Sequence, residues 1–250
     1  MALAEGQGGC AREPCMHPNA DNLIATRFDT VVYDLDGTLI DSAKDMQLAV
    51  SNVLADHGLP AVTEDDLRDF MGQGSKVTMG KAFSKYGRTL DDTTLTAVTA
   101  EFVRYYEADP ISHTTAFVGV PEVVARFHRM GLKQGVCTNK FEKPSRIILE
   151  HLKLMPPISD VAGADSFPVR KPDPRHILML IERMGGDPRR AVMIGDSTHD
   201  AEAARAAGIP SVLVSWGYTS KPASELGADA VIDRFDALPA ALEKLAAAGR

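Results

Sequence analysis

From residue 117 to the C-terminus, short β-branched runs alternate with amphipathic helical stretches, and no other feature restricts the fold as much. Runs at 134–138, 161–163, 191–195, 211–214 and 230–232 read as strands. Stretches at 121–131, 144–154, 174–185, 198–207 and 236–248 read as helices, several opened by proline or closed by glycine. Strands separated by helices cannot pair as tight hairpins. Crossover connections instead lay them parallel, with helices covering both faces of the sheet. The expected class is α/β.

An earlier strand, at about 30–34, ends in two acids spaced by one residue, Asp34 and Asp36, followed by Gly37 and Thr38. On a strand with a period of two, both carboxylates project to the same side. Two like charges held there are costly unless a cation or a shared proton relieves them. Asp36-Gly37 read alone is only a turn. The region 44–113 that follows holds several helical patterns and no good strand, so it reads as an all-helical insert. The expected organisation is a disordered tail at 1–26, a core at 27–43 and 114–250, and a helical cap at 44–113.

At 250 residues and 44% apolar composition the chain can bury a sizeable core. A net charge of −7 argues against a nucleic-acid partner, which would call for a basic surface. No apolar run is long enough to span a bilayer, and no basic-then-apolar leader is seen near the N-terminus. Of the three cysteines, Cys10 and Cys15 lie beside His17 without a clear fourth metal ligand, and Cys137 sits in an apolar run as a small core residue. A reducing cytoplasm is expected, as is a monomer or homodimer with a small-molecule partner.

In an open α/β sheet, ligands bind beyond the carboxyl ends of the strands. The polar groups expected at that edge are Asp34 and Asp36, Thr138-Asn139-Lys140, Lys171, and Asp196 with Asp200. Carboxylates with a lysine and a hydroxyl suit a divalent cation and a phosphoryl group. With no His or Cys cluster beside them, the oxygen ligands favour Mg2+ over zinc. One carboxylate kept ionised and a second able to carry a proton predict phosphoryl transfer through an aspartyl phosphate.

Four motifs carry a family resemblance. Asp34-Leu35-Asp36-Gly37-Thr38-Leu39-Ile40-Asp41-Ser42 resembles the first motif of the haloacid dehalogenase superfamily in its phosphatase form. Val136-Cys137-Thr138-Asn139-Lys140, Lys171-Pro172-Asp173-Pro174 and Ile194-Gly195-Asp196-Ser197-Thr198-His199-Asp200 resemble the second, third and fourth, in the family's order. The resemblance implies a Rossmann-like core with a mobile helical cap. It implies Asp34 as nucleophile and Asp36 as acid and base. It gives Mg2+ to Asp34, the Asp36 carbonyl and Asp196, with Asp200 orienting Lys171 or a metal-bound water. Thr138, Asn139 and Lys171 are implied on the phosphoryl oxygens.

Asp36 disfavours the dehalogenase and phosphonatase branches, and Met46 stands where sugar phosphomutases carry a histidine. Gly72-Gln73-Gly74-Ser75-Lys76 resembles the cap's specificity loop, with Gly74, Ser75 and Lys76 the expected substrate contacts. An interhelical turn with an exposed lysine fits that stretch equally well. Overall similarity is greatest to the phosphoglycolate phosphatase group, which implies a small phosphorylated metabolite, 2-phosphoglycolate, as substrate. Phosphatases of sugar phosphates, nucleotides or pyrophosphate, a phosphomutase, and a noncatalytic binding member are the alternatives.

Overall fold

The computed structural model describes residues 18–72, 74–219 and 221–249. Six parallel strands form the central sheet: β1 (Thr30–Tyr33), β4 (Lys133–Cys137), β5 (Asp160–Ala162), β6 (Ala191–Gly195), β7 (Ser211–Val214) and β8 (Ala230–Ile232). Their spatial order is β5-β4-β1-β6-β7-β8. Two short strands, β2 (Ile40–Asp41) and β3 (Thr115–Ala116), pair antiparallel outside that sheet. All four residues of β1 are buried, as a strand covered on both faces requires. Val31 and Tyr33 join one apolar cluster and Val32 the other, so the period of two divides the strand between the two helical layers.

The helices on the core are α6 (Val120–Arg129), α7 (Glu142–His151), α8 (Pro174–Arg183), α9 (Thr198–Ala207) and α10 (Leu238–Ala247). Between β2 and β3 the chain forms α2 (Ala43–Asp56), α3 (Glu64–Phe70), α4 (Ser75–Ser84) and α5 (Asp92–Ala108), which pack on one another as a helical cap. The β2–β3 ribbon, with Asp41 opposite Thr115, is both the exit to the cap and the return from it. Buried Asp45 at the start of α2 accepts hydrogen bonds from the His113 backbone N–H and the Thr114 hydroxyl, pinning the second connection to the first.

The N-terminal expectation needs correction. Residues 18–26 are not disordered, because a helix, α1 (Pro18–Arg27), covers them, while 1–17, with Cys10, Cys15 and His17, lie outside the described residues. This segment has too few apolar residues to fold alone, and helices this short rely on packing. Here the helix docks on α10, burying Ile24 with Phe28 just beyond it, while Asp21 pairs with Arg126 of α6 at 2.5 Å. Cys137 is fully buried in β4, and burial pushes its thiol up to about 12, which suits a core residue. Among the described residues no helix is long and apolar enough to cross a membrane.

One buried titratable group behind the site makes stability depend on pH. His176 is fully buried, accepts the Lys171 backbone N–H at Nδ1 and lies 3.1 Å from the Gly163 carbonyl at Nε2. Those contacts require the neutral ring, and burial with the nearby Lys171 charge lowers its pKa to about 4. The unfolded chain, with a His pKa of about 6.5, binds the proton first, so stability is lost as pH falls from about 6.5 towards 4. His176→Gln, which can keep both hydrogen bonds, is expected to flatten that part of the melting-temperature profile. An unchanged profile would assign the loss to other groups.

Candidate active site

The sheet order places the topological switch beside β1: the chain runs outward through β4 and β5, then returns to β6 on the other side. Ligands of open α/β sheets bind at such a point, beyond the strand ends. Register carries the first and fourth motifs there together, with Tyr33 opposite both Val136 and Ile194. The Asp34 N–H continues the ladder to the Ile194 carbonyl at 2.8 Å, which sets Asp34 beside the end of β6.

The chain turns immediately after β1. Gly37 has φ +80°, and a Cβ there would come within 2.5 Å of the Asp196 carboxylate. Glycine therefore serves both the backbone conformation and the close approach. The turn presents Asp36 to the cavity, where Ser42 Oγ donates to Oδ1 at 2.5 Å and Lys140 Nζ lies 3.0 Å from both carboxylate oxygens. Ser42 is the residue before α2, but its hydroxyl serves Asp36, and Asp41 Oδ1 takes the Ala43 N–H in its place.

Lys171 is 2% exposed and holds two carboxylates at once, Asp200 Oδ1 at 2.5 Å and Asp34 Oδ1 at 3.0 Å. The other Asp200 oxygen accepts from the Ser197 N–H and hydroxyl and the Asp196 N–H. Asp200 therefore both caps α9 and fixes the lysine. Gly195 makes room for it, since a Cβ at that position would collide with the Asp200 side chain. Asp196 is 3% exposed and accepts the Tyr218 N–H at 2.7 Å.

Oxygens of Asp34, Asp196 and Asp200 lie within 4.8 Å of one another. Three carboxylates thus face one ammonium in a buried setting. Burial pushes Asp34 up to about 6 against the pull of Lys171, and burial with the Asp34 and Asp200 charges raises Asp196 as well. The donor set is all oxygen and carries excess negative charge, which fits a hard divalent cation. Asp34 Oδ2 and Asp196 Oδ1 are the less committed oxygens of the set, since the second meets only Thr38 Oγ1, at 3.4 Å.

A cavity of about 170 Å³ separates these groups from the cap. Its core side includes Thr138, Asn139, Lys140, Arg170 and Lys171, and its cap side Met46, Gly74, Ser75, Phe102 and Tyr106. Asn139 Nδ2 donates to the Lys171 carbonyl at 3.1 Å, while its buried Oδ1 has no hydrogen-bond partner among the described residues. Polar groups converge on one side and apolar walls close the other, an arrangement suited to a small anionic ester.

A model of the haloacid dehalogenase-like hydrolases matches residues 31–214. The chain belongs to this family. It is 42% identical to a phosphoglycolate phosphatase of Caulobacter vibrioides over 212 residues, 85% of this chain and 90% of that protein. It is 40% identical to a phosphoglycolate phosphatase of Agrobacterium fabrum over 219 residues, 87% of this chain and 94% of that one. In structure it resembles a predicted phosphoglycolate phosphatase from Haemophilus somnus, with a TM-score of 0.79 and 27% identity, covering 85% of this chain and 96% of that one.

Within this haloacid dehalogenase-like fold the four motifs lie around one cavity, and Gly74 and Ser75 line it from the cap. Lys76 does not. On α4, Ser75 and Thr78 are three residues apart and share the face towards the cavity, and Lys76 is turned away from it. Its ammonium instead pairs with exposed Asp92 at 2.6 Å, so the expected substrate contact is corrected to a surface ion pair. Gly74, with φ 92°, is the residue before α4, so the loop turns directly into the helix at Ser75.

Sequence reasoning left three neighbours of the site without a role. Lys140 stood in the second motif, but its partner Asp36 is 104 residues away. Tyr218 follows β7 at the same sheet edge, and its hydroxyl bonds Asp41 at 2.6 Å while its N–H bonds Asp196. It joins a site carboxylate to the cap ribbon. Tyr106 reaches the cavity from near the end of α5, where its spacing with Val98 and Phe102 reads only as a buried helix face.

Proposed function

We propose that the protein is a magnesium-dependent phosphatase that hydrolyses 2-phosphoglycolate to glycolate and phosphate through an aspartyl phosphate on Asp34. One observation carries the chemistry: Asp34, Asp196 and Asp200 gather around Lys171 at the switch point, with Asp36 present on the same turn. The substrate assignment draws on the names of the Caulobacter vibrioides and Agrobacterium fabrum relatives. Residues 44–113 are taken as the cap and the reducing cytoplasm as the compartment.

Asp34 attacks phosphorus through Oδ2 as the bond from phosphorus to the ester oxygen breaks, and Asp36 donates a proton to the departing glycolate oxygen. Asp36 then takes a proton from water as that water attacks the phosphoaspartate, and the bond from phosphorus to Asp34 breaks to release phosphate. Thr138, Asn139 and Lys171 hold the phosphoryl oxygens where negative charge collects. Asp200 holds Lys171 in place. Asp34, Asp196 and the Asp36 carbonyl would hold Mg2+, which supplies charge neutralisation for nucleophile and phosphoryl group together. Met46 lines the cavity with a thioether that can neither give nor take a proton, which supports water over a sugar hydroxyl as the acceptor.

The test is a panel of phosphate monoesters assayed with added Mg2+, with EDTA, and with Mg2+ restored. The expected result is the highest kcat/KM on 2-phosphoglycolate, activity lost in EDTA and recovered with Mg2+. A higher kcat/KM on a sugar phosphate or nucleotide would replace the substrate, and full activity in EDTA would remove the metal.

A further inference from the structure

Tyr106 is 4% exposed and lines the cavity from the cap, yet its hydroxyl has no hydrogen-bond partner among the described residues. A buried hydroxyl left unpaired is costly, and a bound ligand that accepts from it would remove that cost. Lys140 Nζ lies 4.3 Å from the centre of the same ring, with its side chain only 8% exposed. The ammonium bridges a core carboxylate, Asp36, and an aromatic residue of the cap. Neither Tyr106 nor Lys140 has a part in the phosphoryl-transfer steps above.

We infer that Tyr106 Oη and Lys140 Nζ form a subsite for the substrate's carboxylate, so that the enzyme selects phosphate esters with an acid group next to the ester carbon. The inference rests on the proposed function and deepens it. In such an ester the carboxylate oxygens lie roughly 3–4 Å from the ester oxygen, by ordinary bond lengths. Asp36 must come within about 2.6–3.2 Å of that ester oxygen to protonate it. Lys140 Nζ stands one hydrogen bond further on, 3.0 Å from the Asp36 oxygens, within reach of such a carboxylate.

The ammonium and hydroxyl supply complementary contacts. Burial works against the Lys140 charge, but the Asp36 carboxylate beside it outweighs burial and keeps the ammonium protonated, while burial pushes the Tyr106 hydroxyl up to about 12, so it remains a donor at neutral pH. Glu107 also lines the cavity and would repel a carboxylate, but it faces Lys143 at 3.8 Å. Lys76, the basic residue of the specificity loop, is committed to Asp92. Arg170 on the same wall is exposed, whereas Lys140 and Tyr106 give the carboxylate one buried contact from the core and one from the cap, so its binding would hold the cap against the core.

The test compares 2-phosphoglycolate with ethyl phosphate, which has a methyl group in place of the carboxylate. It is run in the Mg2+-supplied wild type and in Tyr106→Phe and Lys140→Met. The wild type is expected to favour 2-phosphoglycolate. Tyr106→Phe should lower the kcat/KM ratio of the two esters about 5- to 10-fold, and Lys140→Met about 50-fold or more.

Because Lys140 also touches Asp36, calorimetric binding of 3-phosphonopropionate against propylphosphonate supplies a second readout free of proton transfer. The same loss of preference is expected there. Wild-type preference that survives both substitutions in both assays would overturn the subsite and leave the proposed function standing. A wild type with no preference for the carboxylated ester would overturn the substrate assignment and this inference with it.

Discussion

Asp34→Asn is expected to abolish phosphate release, lowering kcat at least ~10⁴-fold with every ester, because an amide in place of the proposed nucleophile cannot form the phosphoenzyme. The substitution should not unfold the protein. It removes one negative charge from three crowded carboxylates, and the amide can still accept the Leu35 N–H that Asp34 Oδ1 now accepts at 2.7 Å. The melting temperature is expected at or above that of the wild type. Residual turnover within tenfold of wild type would transfer the nucleophile's role elsewhere. A large fall in melting temperature would make the loss of activity uninformative, and Asp34→Glu would then separate position from charge.

Lys171→Met is the second large expectation, and it acts on both folding and chemistry. The ammonium is the shared partner of Asp34 and Asp200, and all three side chains are largely removed from water. Removing one member of such a group leaves uncompensated buried charge and costs about 3–5 kcal/mol. Loss of a cation from the phosphoryl oxygens lowers kcat by about 10³-fold in addition.

Denaturant titration measures the first effect and steady-state kinetics on folded protein the second. Asp200→Asn in the Lys171→Met background should recover part of the stability, because it removes one of the two stranded charges, but none of the activity. Simple additivity of the two substitutions would mean that Lys171 and Asp200 do not act as a pair.

These two expectations depend on residues of different legibility. Asp34 and Asp36 could be found from spacing alone, since a period of two sends both carboxylates to one side of a buried strand. Thr138, Lys171 and Asp196 could be found because each follows, or sits in a loop after, an apolar run at the same sheet edge. The two roles of Asp200 were legible by different routes: a helix cap can be read from four consecutive residues, whereas its bond to Lys171 joins positions 29 residues apart and was implied only by the family resemblance.

Lys76 failed for a related reason. A helical pattern gives the relative phase of its residues but not which phase faces a distant cavity, and a neighbouring Asp92 was a better partner for an exposed ammonium. Helix α1 was missed because its stability comes from α10 and α6, over 90 residues away in sequence.

The sequence by itself determined the parallel α/β core, the helical insert between its first two core strands, and the set of oxygen and ammonium groups at the strand ends. Those features follow from local periodicity and from the rule that parallel strands end at a common edge. Only the tertiary structure decided how the charges pair: Lys171 with Asp34 and Asp200, and Lys140 with Asp36, beneath a Tyr106 hydroxyl that has no hydrogen-bond partner among the described residues. Pairing depends on distances of a few ångströms between residues up to 137 positions apart, from Asp34 to Lys171. Local pattern carries no information at that range, because only the packing of sheet, loops and cap sets those distances.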